Sequence, residues 1–432
     1  MLKETLDFLS FTDPNVRYVV IGSVILGASS ALVGSFAFLR KRALVGDAIA
    51  HSVLPGVAAA FMISGVKDPL ILIVGALISG WLSIVMIDGI VRTTKLKSDA
   101  AIGIVLSVFF GVGILLLTHI QQSGNGAQSG LDSFLFGKAA SLTPDDIWVF
   151  SSIGSFLVVI IFLFFKAFKI VSFNPDYAQT IGLPVKFIEF LLSTITVLAV
   201  AVGIQAVGVV LMAALLITPA SGARFWTNKL GKMLFIATTF GVISAFVGSY
   251  VSYIAPNMPT GPWVVMILSL LTVASIWFAP KKGMLARLKT RRENQNKILT
   301  ENILKLFYHL GEKKEDFEVG RSQEILLENR DFTEVELKKG LLKLKKKNLL
   351  RNKKNLWYIT QSGLSEAKRI IRLHRLWEMY LNQRLKLEPD HVHNDAEAIE
   401  HIITADIEKQ LEKELAYPEK DPHQSKIPYN DN

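Results

Sequence analysis

The chain has 432 residues, a formal charge of +10 and no cysteine. Its mean hydropathy of +0.38 is too apolar for an ordinary soluble enzyme. Without cysteine there are no disulfides and no thiolate metal sites, so any metal ion must be held by His, Asp, Glu or backbone oxygen. The average hides two unlike parts: apolar runs broken by short loops up to residue 280, then charged strings such as KKKNLLRNKK. One solvent cannot suit both, which predicts a membrane domain followed by a water-soluble one.

The N-terminal stretch MLKETLDFLSFTDPN carries acids and no apolar core of its own, so it does not read as a cleavable signal peptide. The first spanning segment then serves as the insertion signal. A helix needs roughly 20 apolar residues to cross the hydrocarbon core. Spans are expected at 17–39, 43–64, 69–91, 100–119, 147–168, 187–204, 206–223, 232–254 and 262–279. The run from Phe187 to Ala223 is almost continuous. It fits two short crossings joined near Gly203-Ile204-Gln205, or one helix with a re-entrant piece.

Nine crossings place the basic loops 40–42, 92–97, 169–186 and 224–232, and the tail PKKGMLARLKTRR, on one face. The opposite loops contain almost no Lys or Arg. Positive residues stay cytoplasmic, so the N-terminus is expected outside and the C-terminal part inside. Small residues, as in VILGASSALVGS, fit close helix packing.

The most informative membrane segment is GDAIAHSVLPG, residues 46–56. Asp47 and His51 are four apart and share a helix face. His51 lies nine residues beyond Arg42, roughly 13 Å at helical rise, which puts it near the middle of the bilayer. An ionisable pair there is costly unless it has a partner or a function. Pro55 cannot donate to the carbonyl of His51, which frees a further oxygen beside the pair. Two readings stand at this point: ligands for a passing cation, or an Asp–His hydrogen bond that staples helices. A carboxylate–imidazole set suits Mn, Fe or Zn better than Mg or Ca, and a homodimer would bring four such ligands to one axis. His119 reads as interfacial, and Asp88 and Glu189 as solvated or paired near cytoplasmic ends. The loop FNPDYAQTIGLPV (173–185) holds a short helix-compatible segment, which the residues alone read as an ordinary amphipathic loop.

Residues 281–298 read as a basic, polar linker. Beyond them ENILKLFYHL, SQEILLEN and the Lys-rich TEVELKKGLLKLKKKNLL are helical in pattern, NLWYITQSG alternates like a strand, and a long helix runs through SEAKRIIRLHRLWEMYLNQRL. That order is a winged helix-turn-helix over 299–362 followed by a helical domain over 363–432. The fold class expected is therefore an all-α polytopic membrane protein with a cytoplasmic winged-helix and helical appendix. Lysines there can bind phosphates without reading bases, and serve an anionic lipid surface equally well. DNA binding is therefore the less favoured reading.

Several separated blocks carry a family resemblance: KRALVGDAIAHSVLPG, LDSFLFGKAASLTPDDIW, NPDYAQTIGLP, VGVVLMAALLITPASGARF and PTGPWVV. Through them residues 15–280 resemble the metal-importing ABC permeases that handle manganese, zinc or iron. The resemblance implies a homodimer, two cytoplasmic ATPase subunits and an extracytoplasmic metal-binding protein. It further implies that Asp47 and His51 line the ion path and that Asn174, Pro175, Asp176, Ala178 and Gly182 belong to the segment docking on the ATPase. No GxxxxGK[ST] phosphate cradle occurs in the sequence, so this subunit is expected not to hydrolyse ATP.

YITQSGLSEAKRIIRLHRLWEMYL, HVHNDAEAIEHII and PEKDPHQSKIP resemble the iron- and manganese-dependent repressors of the diphtheria-toxin-repressor type. The resemblance places regulatory Mn²⁺ or Fe²⁺ ligands at His374, Glu397, Glu400 and His401, with Glu378 and His393 at an ancillary site. Where the family's first helix supplies further ligands, this chain has Asn302 and Lys305. The resulting expectation is a permease for Mn²⁺ first, then Fe²⁺ or Zn²⁺, with a fused metal-sensing regulatory domain. Its rival is a membrane-tethered metal-dependent transcription regulator.

Overall fold

The computed structural model describes residues 2–40, 43–66, 68–122, 137, 142–255, 258–385 and 405–429. The chain divides into two compact units, Met1–Arg287 and Leu288–Asn432.

Helix is the regular secondary structure of the first unit's described residues. Its elements are α1 Leu2–Ser10, α2 Pro14–Leu39, α3 Ala43–Ser64, α4 Pro69–Thr93, α5 Ser98–Gln122, α6 Pro144–Leu163, α7 Phe165–Phe173, α8 Pro175–Thr180, α9 Val185–Val207, α10 Val209–Trp226, α11 Leu230–Ile254 and α12 Thr260–Phe278. Local chemistry sets the starts. Asp13, Asp68 and Thr143 each cap a backbone N–H just ahead of a proline at the first helical position, opening α2, α4 and α6. The segment expected as one span over 147–168 ends instead at Phe164, two residues before Lys166, and resumes as α7. Helix α1, unexpected from its short and acidic sequence, buries Phe8 edge-on against Phe246 and Tyr250.

Eight of these helices are long and apolar enough to cross a membrane. The ninth expected span, α10, has 18 residues, about 27 Å at helical rise and just under a hydrocarbon core of about 30 Å. The ambiguous run resolves at Gly208, whose φ of +82° and ψ of 165° only glycine adopts readily. The joint therefore falls a few residues beyond Gly203. A Cβ at Gly203 would collide with the Met212 side chain. Those two residues would be about 13 Å apart on a straight helix, so the chain folds back at Gly208.

Helix α2 is central, packed by α6, α9, α10 and α11. Gly34 lies against the carbonyl of Leu216 and Gly27 against that of Gly241, while Gly56 and Gly75 bring α3 and α4 together backbone to backbone. Small residues provide this approach where water exclusion drives nothing.

Helix α13 Met284–Lys314 covers the segment read as a linker from Met284 on and belongs to the second unit from Leu288. It is followed by α14 Gln323–Glu328, α15 Glu334–Lys346, β1 Leu350–Lys353, β2 Leu356–Ile359, α16 Gln361–Leu385 and α17 Ala405–Glu414. The hairpin pairs Leu350 with Ile359 and Lys353 with Leu356. Lys354 and Asn355 turn it with φ of +48° and +62°, the left-handed pair a two-residue turn requires. Arg321 extends the sheet by pairing with Trp357. Leu304, Phe307, Leu326, Leu341, Trp357 and Ile371 form the core beneath. This is the expected winged-helix order, with a helical appendix after it.

Candidate functional site

Asp47 and His51 stand one turn apart on α3, with His51 Nε2 3.6 Å from Asp47 Oδ1. At that separation they are near neighbours without a closed hydrogen bond. The Asp47 side chain is 41% exposed and that of His51 20%, so the pair opens to one side of the helix. Two donors 3.6 Å apart can both reach one ion at about 2.1 Å each, at an angle of roughly 115°. The imidazole is positioned by Phe110 of α5, whose ring meets it edge-on at 4.9 Å and 86°. His51 Nδ1 is buried and has no hydrogen-bond partner among the described residues. From the next turn, Pro55 onward, α3, α4 and α5 line a cleft of about 800 Å³ walled by Ile63, Val74, Val108 and Val112.

Glu189 and His119, singled out in the sequence, lie near helix ends. Arg40, at the end of α2, donates to Glu189 near the start of α9 at 2.8 Å. His119 is exposed in the last turn of α5. The short α8 follows directly on α7. Asn174 accepts from the Tyr177 N–H at 2.9 Å, Pro175 occupies the first helical position, and Gly182 closes the turn with φ of +80°. Ala178 is fully buried, whereas Phe173, Tyr177 and Ile181, four residues apart, stay exposed. The capped turn and its flanks thus expose three apolar side chains.

In the second unit, His374 Nε2 lies 3.1 Å from Glu378 Oε1 on α16. Lys305 Nζ, from α13, lies 3.4 Å from His374 Nδ1. All three side chains are buried. His393, Glu397, Glu400 and His401 lie outside the described residues. Among the described residues no three His, Asp or Glu side chains converge as a metal site.

The sequence profile of the ABC 3 transport family matches residues 12–279. The chain belongs to that family. The manganese transport system membrane protein MntC of Bacillus subtilis is 40% identical over 88% of this chain and 87% of its own length. The zinc transport system membrane protein TroC of Treponema pallidum is 42% identical over 65% of this chain and 95% of its own. Among solved structures, PsaBC from Streptococcus pneumoniae in complex with Fab matches with a TM-score of 0.60 and 32% identity, covering 67% of this chain and all of that one. Residues 360–429 match the metal binding and dimerisation domain of iron dependent repressors.

The ABC 3 permease is thus a multi-pass membrane protein carrying a repressor-type domain. Lys305, from α13, stands beside that domain's described pair His374–Glu378. Sequence reasoning flagged Lys305 but not its contact. It also missed Phe110 and the buried arginines of the ABC 3 permease's appendix. Arg372 pairs with Glu408 at 2.6 Å, and Arg375 with Glu312 at 2.9 Å and Asp421 at 3.4 Å. The three-residue spacing of Arg369, Arg372 and Arg375 was the available signal, since it places them along one helix face.

Proposed function

We propose that this chain conducts a divalent transition metal, Mn²⁺ by first preference and then Fe²⁺ or Zn²⁺, inward across the bacterial plasma membrane. The observation that carries the reading is the open Asp47–His51 pair on a helix of an ABC 3 permease. A carboxylate and an imidazole from each of two copies would give four mixed O/N donors, tight enough to select a transition metal and loose enough to release it. The relatives named for manganese and for zinc transport support the cargo class. The N-terminus lies outside and the appendix inside. Two cytoplasmic ATPase subunits supply energy, docking on Asn174–Gly182, and an extracytoplasmic protein delivers the ion.

The appendix, winged-helix over 299–362 and helical over 363–432, stabilises the dimer and adjusts transport. The rival reading, a membrane-tethered transcription regulator, draws on the exposed lysines 338, 339, 345, 346 and 347 of and after α15. Those side chains supply phosphate affinity alone.

The test is accumulation of Mn, Fe and Zn in a strain lacking the transporter, complemented with the wild type, Asp47→Ala or His51→Ala. Uptake is expected to fall to background in both variants at unchanged membrane abundance. Undiminished uptake in either would remove that side chain from the path.

A further inference from the structure

The last apolar helix, α12, ends at Phe278, and α13 begins a few residues on at Met284. The turn between them is tight. The Gly283 N–H donates to the Ala279 carbonyl at 2.9 Å, and a Cβ at Gly283 would fall on that same oxygen. Lys282 ties the turn to the bundle by donating to the Arg224 carbonyl, in the last turn of α10, at 3.4 Å. The opening turn of α13 therefore belongs to the first unit, which runs to Arg287. Residues 281–292, KKGMLARLKTRR, hold six Lys or Arg and no acid. Lys282 is engaged in the turn; the other five are exposed, and none forms an ion pair among the described residues. At about 100° per residue, Met284, Leu285 and Leu288 share one side of the helix. Arg291 and Arg292 continue that side one turn on, Arg287 and Lys289 edge it, and Ala286, Thr290 and Glu293 lie opposite. The three apolar side chains are 46, 46 and 44% exposed. The retention of positive residues in the cytoplasm explains cations beside a span. It does not explain three large apolar side chains left open among them.

We propose that Met284–Arg292, the opening of α13, is a membrane-surface helix that binds anionic phospholipid of the cytoplasmic leaflet. Met284, Leu285 and Leu288 enter the boundary between headgroups and acyl chains. Arg287, Lys289, Arg291 and Arg292 keep their charges in the headgroup layer while their stems lie in the apolar one. Charge selects the partner. Five exposed cations without an acid match an anionic leaflet, and a basic cluster directly after a span is where such lipids are recognised. Continuity with the span supports the same partner. Trp277 and Phe278 are exposed at the end of α12, as aromatic side chains at the headgroup level are, and α13 starts one tight turn beyond them. The inference rests on the cytoplasmic placement of the residues after α12 and involves neither Asp47 nor His51. Anionic lipid is then a ligand of the permease as well as its solvent.

The experiment is hydrogen exchange on the full chain in nanodiscs of phosphatidylcholine, alone or in equal parts with phosphatidylglycerol, read by mass spectrometry over Met284–Glu293. Both leaflets of a disc have one composition, so the result is independent of the direction of insertion, and a failure here leaves the transport reading standing. The wild type is expected to exchange at least about tenfold more slowly with phosphatidylglycerol, since each basic residue near an anionic surface strengthens attachment about fivefold. Raising the salt should shrink that difference, as the Debye length contracts from about 10 Å at 0.1 M to about 3 Å at 1 M. The fourfold variant Arg287→Gln, Lys289→Gln, Arg291→Gln and Arg292→Gln should lose the difference. Leu285→Ser with Leu288→Ser should weaken it with every cation in place. All six side chains are exposed, so the variants are expected to fold, and the wild-type comparison stands without them. The proposal is overturned if the wild type exchanges alike in the two discs, or if the fourfold variant keeps the difference. It is equally overturned if inorganic phosphate or a DNA duplex protects the segment in phosphatidylcholine discs as well as phosphatidylglycerol does, which would assign this face to a soluble anion.

Discussion

Arg40 and Glu189 join the end of α2 to the start of α9 through a 2.8 Å ion pair that spans 149 residues of sequence. The Arg40 side chain is 11% exposed and that of Glu189 33%, so the bond is only partly screened. Helix α9 begins three residues beyond Gly182, where the capped turn of α8 closes. The pair thus ties that turn to the central helix α2. Glu189→Gln is expected to lower stability by about 1–2 kcal/mol, between an exposed pair and a buried charged hydrogen bond. Thermal unfolding in detergent measures it. The double exchange Arg40→Glu with Glu189→Arg should recover part of the loss, and a flat response in the single variant would show the pair to be idle.

The glycine contacts give a sharper steric case. A Cβ at Gly34 would fall on the Leu216 carbonyl, and one at Gly56 on the Gly75 carbonyl. Backbone atoms cannot swing aside as a side chain can, so Gly34→Ala must push α2 and α10 apart. Overpacking of this kind typically costs about 1–3 kcal/mol. Gly89, with open space around it, is the control. Gly34→Ala and Gly56→Ala are expected to reduce the yield of monodisperse protein, with Gly89→Ala close to wild type by size-exclusion chromatography.

Much of this architecture is written locally. Span length, the Asp-Pro and Thr-Pro starts of α2, α4 and α6, and the strand alternation of NLWYI are short-range signals, and the helices, caps and wing follow them. The join at Gly208 was less legible, because any glycine in an apolar run could have been the hinge and Gly203 competed with it. The left-handed backbone at Gly208 and the packing of Met212 against Gly203 decide between them. At the site, the four-residue spacing of Asp47 and His51 was readable, whereas Phe110, 59 residues away in sequence, was one aromatic among many. Lys305 was visible as a departure from a family pattern. Its role as a partner of His374 appears only once α13 and α16 are packed together.

Phe173, Tyr177 and Ile181 expose apolar surface around a short helix that Asn174 caps and Gly182 closes. If it docks on an ATPase, Tyr177→Ala with Ile181→Ala should leave the permease folded and weaken assembly, since aromatic anchors dominate interface energies. Truncating such an anchor typically costs about 2 kcal/mol or more, roughly thirtyfold in affinity. Co-purification of the ATPase and metal-stimulated ATP hydrolysis in the reconstituted complex report it. Equal hydrolysis and equal recovery of ATPase would exclude this surface from the contact.

The appendix should also respond to acid through one histidine. His309 on α13 is held down to about 4, first by burial of its ring and then by the Arg375 guanidinium, with Lys305 and His374 adding to the effect and Glu312 opposing it. Its ordinary value is 6.5. Between those values the unfolded chain binds a proton at this position that the folded chain does not. Stability is therefore greatest above pH 6.5 and falls as the pH drops toward 4. Because the His309 side chain is about half exposed, solvent screening keeps this contribution modest. His309→Gln cannot take up the proton and should flatten that part of the profile, leaving stability at pH 7.5 little changed. Hydrogen exchange over Asn302–Glu312, corrected for the intrinsic pH dependence of exchange, would give the two slopes. Equal slopes for the wild type and His309→Gln would assign the acid response to other groups around Arg375, such as Glu312 and Asp421.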